Sequence, residues 1–578
     1  MNLSRLAARA PGAIDYRSVN GNNSPADAPS PAAASTAAAA IPSDARGERL
    51  NTKAAGVVSL AVMCSRLLGL VREQVFAALF GGGMAMDAFT AAFRIPNLLR
   101  DLFAEGALST AFVTTFSKTI ARGGDADAWR LAHKVATMTA LVLGLLCIVG
   151  IIFSSQLVHL LAPGFDAEKA ALTAQLTRIM FPFILLVSLA ALTMGMLNAK
   201  NVFGVPAMAS SFFNIGSIVG GVGLGYWIDP HFGTRALIGL AFATLIGGAL
   251  QLAVQLPSLA RLGYRFRPDF NWRDPGVKAI LLLMGPAVIA ASTTQFNVLV
   301  NSMFASRLGD GAIFWLAIAF RLMQLPLGVF GVALGSVTLP LLSRLVVAGR
   351  MDAFRSELAR AIRWALLLTL PAMVGLIMLA EPIISVLYQH GKFTAFEAGQ
   401  AAGALRFYAI GLAGYAALKV LVNAFYALDR RKTPMLVSFM AVGLNLFFNW
   451  LFTFRLGWGH RGLAFSTGCL ATFNFLVLYF LMQVQLKGLE TRRLSLLLLK
   501  VALACAALAA VCAASSHWLL GDWPHQTLLL KTAALLATVL VGALVFAACG
   551  VLLHISELKE LRDAFRRRLK RAKADVSG

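Results

Sequence analysis

From residue 54 onward the chain repeats one pattern: an apolar stretch of 20 or so residues, a short polar segment, then another apolar stretch. An α-helix of about 20 apolar residues crosses a hydrocarbon core of about 30 Å, and only a helix or a closed barrel can satisfy its own backbone there. The pattern predicts helices at 54–81, 86–116, 131–161, 170–198, 204–228, 234–259, 279–305, 312–342, 361–389, 398–427, 433–454, 462–486, 495–520 and 527–555. The chain therefore reads as an all-α polytopic membrane protein with about 14 transmembrane helices.

Composition agrees, with 58% hydrophobic residues, 13% charged residues and 39 Phe in 578. The formal charge of +24 raises the question of nucleic acid, but the basic residues sit in short clusters between apolar stretches and form no continuous face. Topology explains them. The segments after the even-numbered helices hold most of the Lys and Arg, among them RLGYRFRPDFNWRDPGVK (261–278), SRLVVAGRMDAFR (343–355) and DRRKTP (429–434). The positive-inside bias then places both termini in the cytoplasm. Residues 1–49, rich in Ala, Pro and Ser, read as a disordered extension without a secretory signal. Residues 557–578 form a basic cytoplasmic tail near anionic lipid heads. Six cysteines and eight histidines show no metal-ligand spacing, so no metal centre and no cofactor are expected.

The sequence also resembles itself. A shift of 227 residues lays AAFR (91–94) on IAFR (318–321) and Ser109 on Ser336, while shifts of 226 and 228 lay AAL (190–192) on AAL (416–418) and Pro206 on Pro434. Six helices per copy is an even number, so the copies share orientation: two parallel six-helix lobes, 50–260 and 261–487, with two extra C-terminal helices in 488–556. A substrate path between such lobes lies near the midplane.

Charges inside apolar helices are costly unless they face water or a partner. Arg66, Arg72 and Glu73 lie in the first predicted helix, Arg94, Arg100, Asp101 and Glu105 in the second, and Arg321 in the eighth. At 100° per residue Arg94, Asp101 and Glu105 share a face, as do Arg66 and Glu73; Arg72 and Arg100 lack a partner on their own helix faces. Arginines converging on a wet space between lobes suit a phosphate or carboxylate ligand. An anionic substrate is expected.

The stretch SRLLGLVREQVFAALFGGGMAMDAFTAAFRIPNLLRDLFAEGALSTAFV (65–113) resembles the signature of the MurJ/MviN lipid II flippases, as do RLMQLPLGVFGVALGSVTLP (321–340) and YQHGKFTAFEA (388–398). The resemblance covers residues 54–555 and implies the multidrug/oligosaccharidyl-lipid/polysaccharide exporter superfamily. Its fold would be two six-helix lobes in a V plus two helices, and its activity the transfer of lipid II, the lipid-linked peptidoglycan precursor, from the inner to the outer leaflet of the bacterial cytoplasmic membrane. That is transport for cell wall synthesis, not enzyme catalysis, with lipid II and membrane lipids as partners and the cell-wall synthesis machinery as a further candidate.

By motif position the resemblance implies the cavity residues Ser65, Arg66, Arg72, Asp87, Asn97, Arg100, Glu105 and Arg321; the expected mechanism has the arginines hold the diphosphate, Arg94 adding to the field, and Asp87 and Glu105 pairing with arginines when the cavity is empty or closing. Two departures stand out. Phe320 occupies a place where the family often has an acid, which leaves Arg321 freer for substrate, and Asp101 follows Arg100 where a second basic residue can occur. Helices 13 and 14 gain a role as a groove for the polyprenyl tail, beside the plainer reading of lipid-facing helices. Asn445, Asn449 and Thr467, with Ser466, offer oxygens to a coupling Na+ or H+, the alternative being helix-packing amides. The membrane potential is the other candidate driving force. A flippase for another polyprenyl-diphosphate-linked glycan and a multidrug exporter of the same superfamily are the competing functions.

Overall fold

The computed structural model describes residues 52–101, 108–519 and 526–560; the N-terminal extension 1–49 and residues 561–578, most of the basic tail, lie outside them. Among the described residues no strand occurs, and the helices in chain order are α1 (Thr52–Phe80), α2 (Met84–Arg100), α3 (Ser109–Ile152), α4 (Ser154–Leu161), α5 (Ala167–Met180), α6 (Phe183–Ala199), α7 (Gly204–Ile228), α8 (Ala236–Ala253), α9 (Leu256–Arg261), α10 (Pro275–Ala305), α11 (Ala312–Pro326), α12 (Val332–Val347), α13 (Met351–Met378), α14 (Ala380–Tyr388), α15 (Ala395–Ile410), α16 (Leu412–Ala427), α17 (Lys432–Trp450), α18 (Gly459–Gln485), α19 (Thr491–Trp518) and α20 (Leu528–Leu552). Each of the fourteen apolar stretches is helical over most of its length. Ten helices among the described residues are long and apolar enough to cross a membrane, and the α15–α16 pair, bent by 41°, makes an eleventh if it is one span. The tally of fourteen is therefore not reproduced by length and hydropathy alone: α2, for instance, is 17 residues long.

Where helices stop and bend follows local chemistry. Asp166 caps α5 by accepting from the Lys169 N–H, Asp274 caps α10 from the Gly276 N–H, and Thr394 with Glu397 forms a reciprocal capping box at α15. The second and third expected helices are divided differently from the sequence reading. Ser109–Ile152 is one helical run bent at Gly124, whose φ of 73° only glycine adopts without strain, so the polar segment around 121–130 is a helical corner and not a loop. After Pro326, which has no N–H to give to the ladder, five residues (Leu327–Gly331) continue as π-helix before α12.

Small residues let backbones touch. A Cβ on Gly239 of α8 would lie 2.6 Å from the Gly225 nitrogen of α7, and one on Gly247 would lie 2.6 Å from the Phe213 carbonyl oxygen. Lipid offers helices little hydrophobic reason to associate, so this close packing is what joins α7 to α8. The helices before 261 pack on one another, as do α11 through α18, while α10 packs against both α3 and α17. The α19–α20 hairpin packs on α13, with Leu497, Val501, Cys505 and Leu508 buried against Leu367 and Leu379. Arg363 of α13, paired with Glu490 at 2.9 Å and Glu557 at 2.7 Å, fastens both ends of that hairpin.

Candidate functional site

A cavity of about 360 Å³ lies between α1, α2, α7 and α8 on one side and α11 on the other. Its lining includes Arg72, Arg94, Asn97, Arg100 and Arg321, so five of the residues singled out in the sequence converge. Glu73 is the carboxylate among the lining residues, set against four guanidinium groups; six phenylalanines make up much of the rest, with Thr90, Asn97, Ser217, Thr244 and Gln324 as polar members. The result is a cationic chamber with apolar walls, in which charge interactions are stronger than in water.

The arginines differ in their partners. Arg321 pairs with Glu73 across the lobe boundary, and Glu73 also accepts at 3.4 Å from the Tyr388 hydroxyl. This corrects two expectations: Arg321 is not left free by Phe320, and Glu73 does not serve Arg66 on its own helix. Arg100 pairs with Asp101 at 2.9 Å, so the carboxylate of Asp101 makes its ion-pair contact with its chain neighbour. Arg72 stacks over the Phe213 ring at 5.1 Å and has no carboxylate partner among the described residues, and neither has Arg94. Glu105 lies outside the described residues. Ser65 and Arg66 do not line this cavity: the Ser65 carbonyl accepts from Asn214 at 3.1 Å, and Arg66 reaches toward Gly328.

Asp87 is the largest departure. It does not pair with an arginine. Buried at 1% exposure, it pairs with Lys169 at 2.9 Å and accepts from the backbone N–H groups of Gly311 at 2.8 Å and Phe314 at 2.9 Å. A carboxylate from α2 thus caps the N-terminus of α11 in the other lobe, where the helix dipole favours negative charge. Lys169 also pairs with Asp310 at 2.8 Å. Around this group the chain crosses between lobes several times at the same end: Gly82 N–H donates to Glu397 at 2.7 Å, Lys392 N–H to the Ala78 carbonyl at 2.8 Å, and Gly164 N–H to Ser306 at 3.2 Å. Glycines permit it, since a Cβ on Gly311 (φ 93°) would sit 2.4 Å from the Gly82 carbonyl and one on Gly391 (φ 58°) 2.3 Å from the Ala78 carbonyl. All these segments join helices at the end opposite the basic loops, so that end is latched shut.

Asn445, Asn449 and Thr467 come together as the sequence pattern requires, with two residues it does not single out. Asn445 donates to Asn297 at 3.1 Å and Asn301 at 3.2 Å, Asn449 to Asn301 at 2.8 Å, and Asn301 to Thr467 at 3.4 Å. Ser466 donates to Asn445 at 3.4 Å. Asn297 and Asn301 carry the same one-turn signal as Asn445 and Asn449; Lys169, in the first turn of its helix beside Glu168, is the residue of the latch that the sequence reading did not single out.

The family description "Lipid II flippase MurJ" matches residues 76–533. The chain belongs to the MurJ family. A MurJ relative described as a lipid II flippase, from Burkholderia cenocepacia, is 37% identical over 428 residues, covering 73% of this chain and 82% of the relative. A probable lipid II flippase MurJ from Buchnera aphidicola subsp. Acyrthosiphon pisum is 37% identical over 423 residues (73% and 81%), and one from Rickettsia prowazekii is 32% identical over 501 residues (86% and 97%). Among solved structures, a lipid II flippase MurJ in an inward closed conformation superposes with a TM-score of 0.71 at 25% identity, covering 87% of this chain and 99% of that one. A multidrug MATE transporter of the MOP superfamily in an inward-facing conformation shares the fold at a TM-score of 0.60 and 16% identity. MurJ membership accounts for the multi-pass helical architecture.

Proposed function

We infer that this chain flips lipid II between the leaflets of the bacterial inner membrane by alternating access of its two lobes. The observation that carries this reading is the cavity between the lobes, lined by Arg72, Arg94, Arg100 and Arg321. Guanidinium groups stay charged at any physiological pH and grip phosphate oxygens in pairs. A diphosphate fits that chemistry, and the polyprenyl tail stays in apolar surroundings. A cavity of about 360 Å³ is at the small end of pockets for drug-sized ligands, so the sugar-peptide head requires the lobes to part. Glu73 supplies the release step: it holds Arg321 when the site is empty and competes for it when the substrate leaves.

The positive-inside rule supports a cytoplasmic basic-loop end, which puts the Asp87–Lys169 latch at the outer face. On this reading both termini are cytoplasmic, the protein is a carrier without catalytic groups, and its product is delivered where the cell-wall synthesis machinery consumes it. The membrane potential drives export, since each negative charge carried outward gains about 2.3 kcal/mol per 100 mV. The amides of the asparagine cluster hydrogen-bond one another, which supports reading it as helix packing, with the potential as the source of energy. The cationic lining disfavours a multidrug exporter, whose cationic substrates would need carboxylates. The test is transfer of labelled lipid II in proteoliposomes under an imposed potential: the wild type moves it without changing its mass, and Arg72→Met, Arg100→Met and Arg321→Met do not. Full transfer by all three variants refutes the site.

A further inference from the structure

The segment 262–274, which joins α9 to α10, is pinned along its inner side to α3. Tyr264 is buried, its ring stacked on His133 at 4.8 Å and tilted against Trp129 at 5.3 Å. The Arg267 N–H donates to His133 Nδ1 at 3.2 Å and the Asp269 N–H to Thr137 Oγ1 at 3.0 Å, while Asp274 pairs with Lys134 at 2.6 Å. Held this way, the segment turns a fixed outer face to its surroundings.

That face mixes two residue types. Phe266, Phe270 and Trp272 are 53%, 60% and 59% exposed, and Arg265, Arg267 and Arg273, set among them, are exposed as well. Both acids of the segment already have partners, Asp269 accepting from the Asn271 N–H at 3.0 Å and Asp274 from Lys134. Among the described residues none of the three arginines has a carboxylate partner, and Arg273 lies over the Trp272 ring at 5.2 Å. Three open aromatic rings cost free energy in water. At a bilayer boundary rings settle among headgroups, and guanidinium groups meet phosphates.

Two helices fix the depth of the segment. Thr137, which holds Asp269, lies four residues before Leu141 of α3, about 6 Å at 1.5 Å per residue, and Leu141 and Val142 are exposed in an apolar run that faces acyl chains. Leu281 and Leu282 of α10 are exposed in the same way, and Pro275 lies six residues before them, about 9 Å. A headgroup layer is about 5–8 Å deep on each side of the hydrocarbon core, so both helices bring the segment to its level.

We propose that this face is a binding surface for anionic phospholipid of the phosphatidylglycerol kind. Phe266, Phe270 and Trp272 enter the headgroup layer, and Arg265, Arg267 and Arg273 take its phosphates, positive charge meeting the negative charge of the leaflet. The surface is separate from the arginine cavity and does not depend on what that cavity carries. Bound lipid holds 262–274 against α3 and so fixes the start of α10.

The test uses the full chain in nanodiscs, with a fluorescent unnatural amino acid at the exposed position Asn271, which avoids labelling the exposed Cys64. Quenching by brominated acyl chains reads contact with the bilayer, and phosphatidylcholine is replaced stepwise by phosphatidylglycerol. In the wild type quenching rises with phosphatidylglycerol, and the rise shrinks in high salt. Arg265→Gln/Arg267→Gln/Arg273→Gln weakens the preference for phosphatidylglycerol about a hundred-fold, at roughly five-fold for each charge near the surface, and the corresponding triple replacement by Lys retains it. The same loss of charge elsewhere, in Arg350→Gln/Arg430→Gln/Lys432→Gln, leaves the wild-type response in place. Phe270→Ser/Trp272→Ser lowers quenching in both lipids. A Gln triple variant of the segment that responds as the wild type, or a control variant that loses the response equally, overturns the proposal. So does a wild type whose probe is quenched in neither lipid, which would leave this face to a soluble acidic partner.

Discussion

Replacing Asp87 with alanine should unlatch the protein at one end. The carboxylate is buried, and its removal takes away an ion pair with Lys169 and two backbone hydrogen bonds at the N-terminus of α11. Breaking one partner of a buried pair costs about 3–5 kcal/mol, because the other charge stays behind. Lys169 keeps Asp310, but that carboxylate is 60% exposed and compensates weakly. Since the lost contacts exist only with this end closed, most of the cost falls on the latched state. At 1.4 kcal/mol per power of ten, the equilibrium between latched and open forms shifts by roughly two to four powers of ten. Asp87→Asn keeps a carbonyl acceptor but no charge and falls between, and Lys169→Met shifts it less, because the two backbone donors remain. Spin labels at the exposed positions Ala167 and Ala395 read the distance across this end. The short distance should dominate in the wild type and nearly vanish in Asp87→Ala, and lipid II transfer should fall with it. An unchanged distance distribution in Asp87→Ala would refute the assignment of the latch to this carboxylate.

Other consequences are more local. Glu73→Gln removes the partner of Arg321, so binding of a polyprenyl diphosphate should tighten while multiple-turnover transfer slows, as seen by comparing binding with transport. Asn301→Leu leaves Asn449 without its acceptor, while Asn445 keeps Asn297, and at about 1–3 kcal/mol for a buried unsatisfied group the detergent-solubilised protein should melt at a lower temperature. Gly239→Ala forces a Cβ onto the α7 backbone, costing about 1–3 kcal/mol by overpacking and lowering stability in the same assay. Asp274 lies outside the spans. Burial alone would raise its pKa, but the Lys134 ammonium at 2.6 Å and the Gly276 N–H hold it below the usual carboxylate range. Its contribution should therefore be complete at neutral pH and lost as the pH falls through that lowered value, and Asp274→Asn should remove this acid sensitivity from the melting curve.

Much of this is legible in the chain because the bilayer imposes a strict code. An arginine inside an apolar stretch must face water or a partner, so Arg72, Arg94, Arg100 and Arg321 can be assigned to one chamber from the sequence. The code does not name partners. Glu73 and Arg321 are 248 positions apart, and Asp87 meets α11 across a separation of 224; no periodicity links them. Asp87 misleads because an isolated acid in an arginine-rich region invites pairing with an arginine, whereas here it pairs with Lys169 and accepts from the backbone of a helix start. The asparagines at 297 and 301 escape notice for the opposite reason, being uncharged and so cheap enough in a helix to pass unremarked.

Part of the seam at the latched end is bare backbone against bare backbone, with Gly311 on Gly82 and Gly391 on Ala78. Side chains can rotate to fill a partial gap; peptide planes cannot. Hydrogen bonds such as Lys392 N–H to Ala78 are lost once the surfaces separate by a fraction of a methyl diameter, so half-closure has no stable geometry. Contacts made this way favour a wall that is either closed or parted over one that yields by degrees.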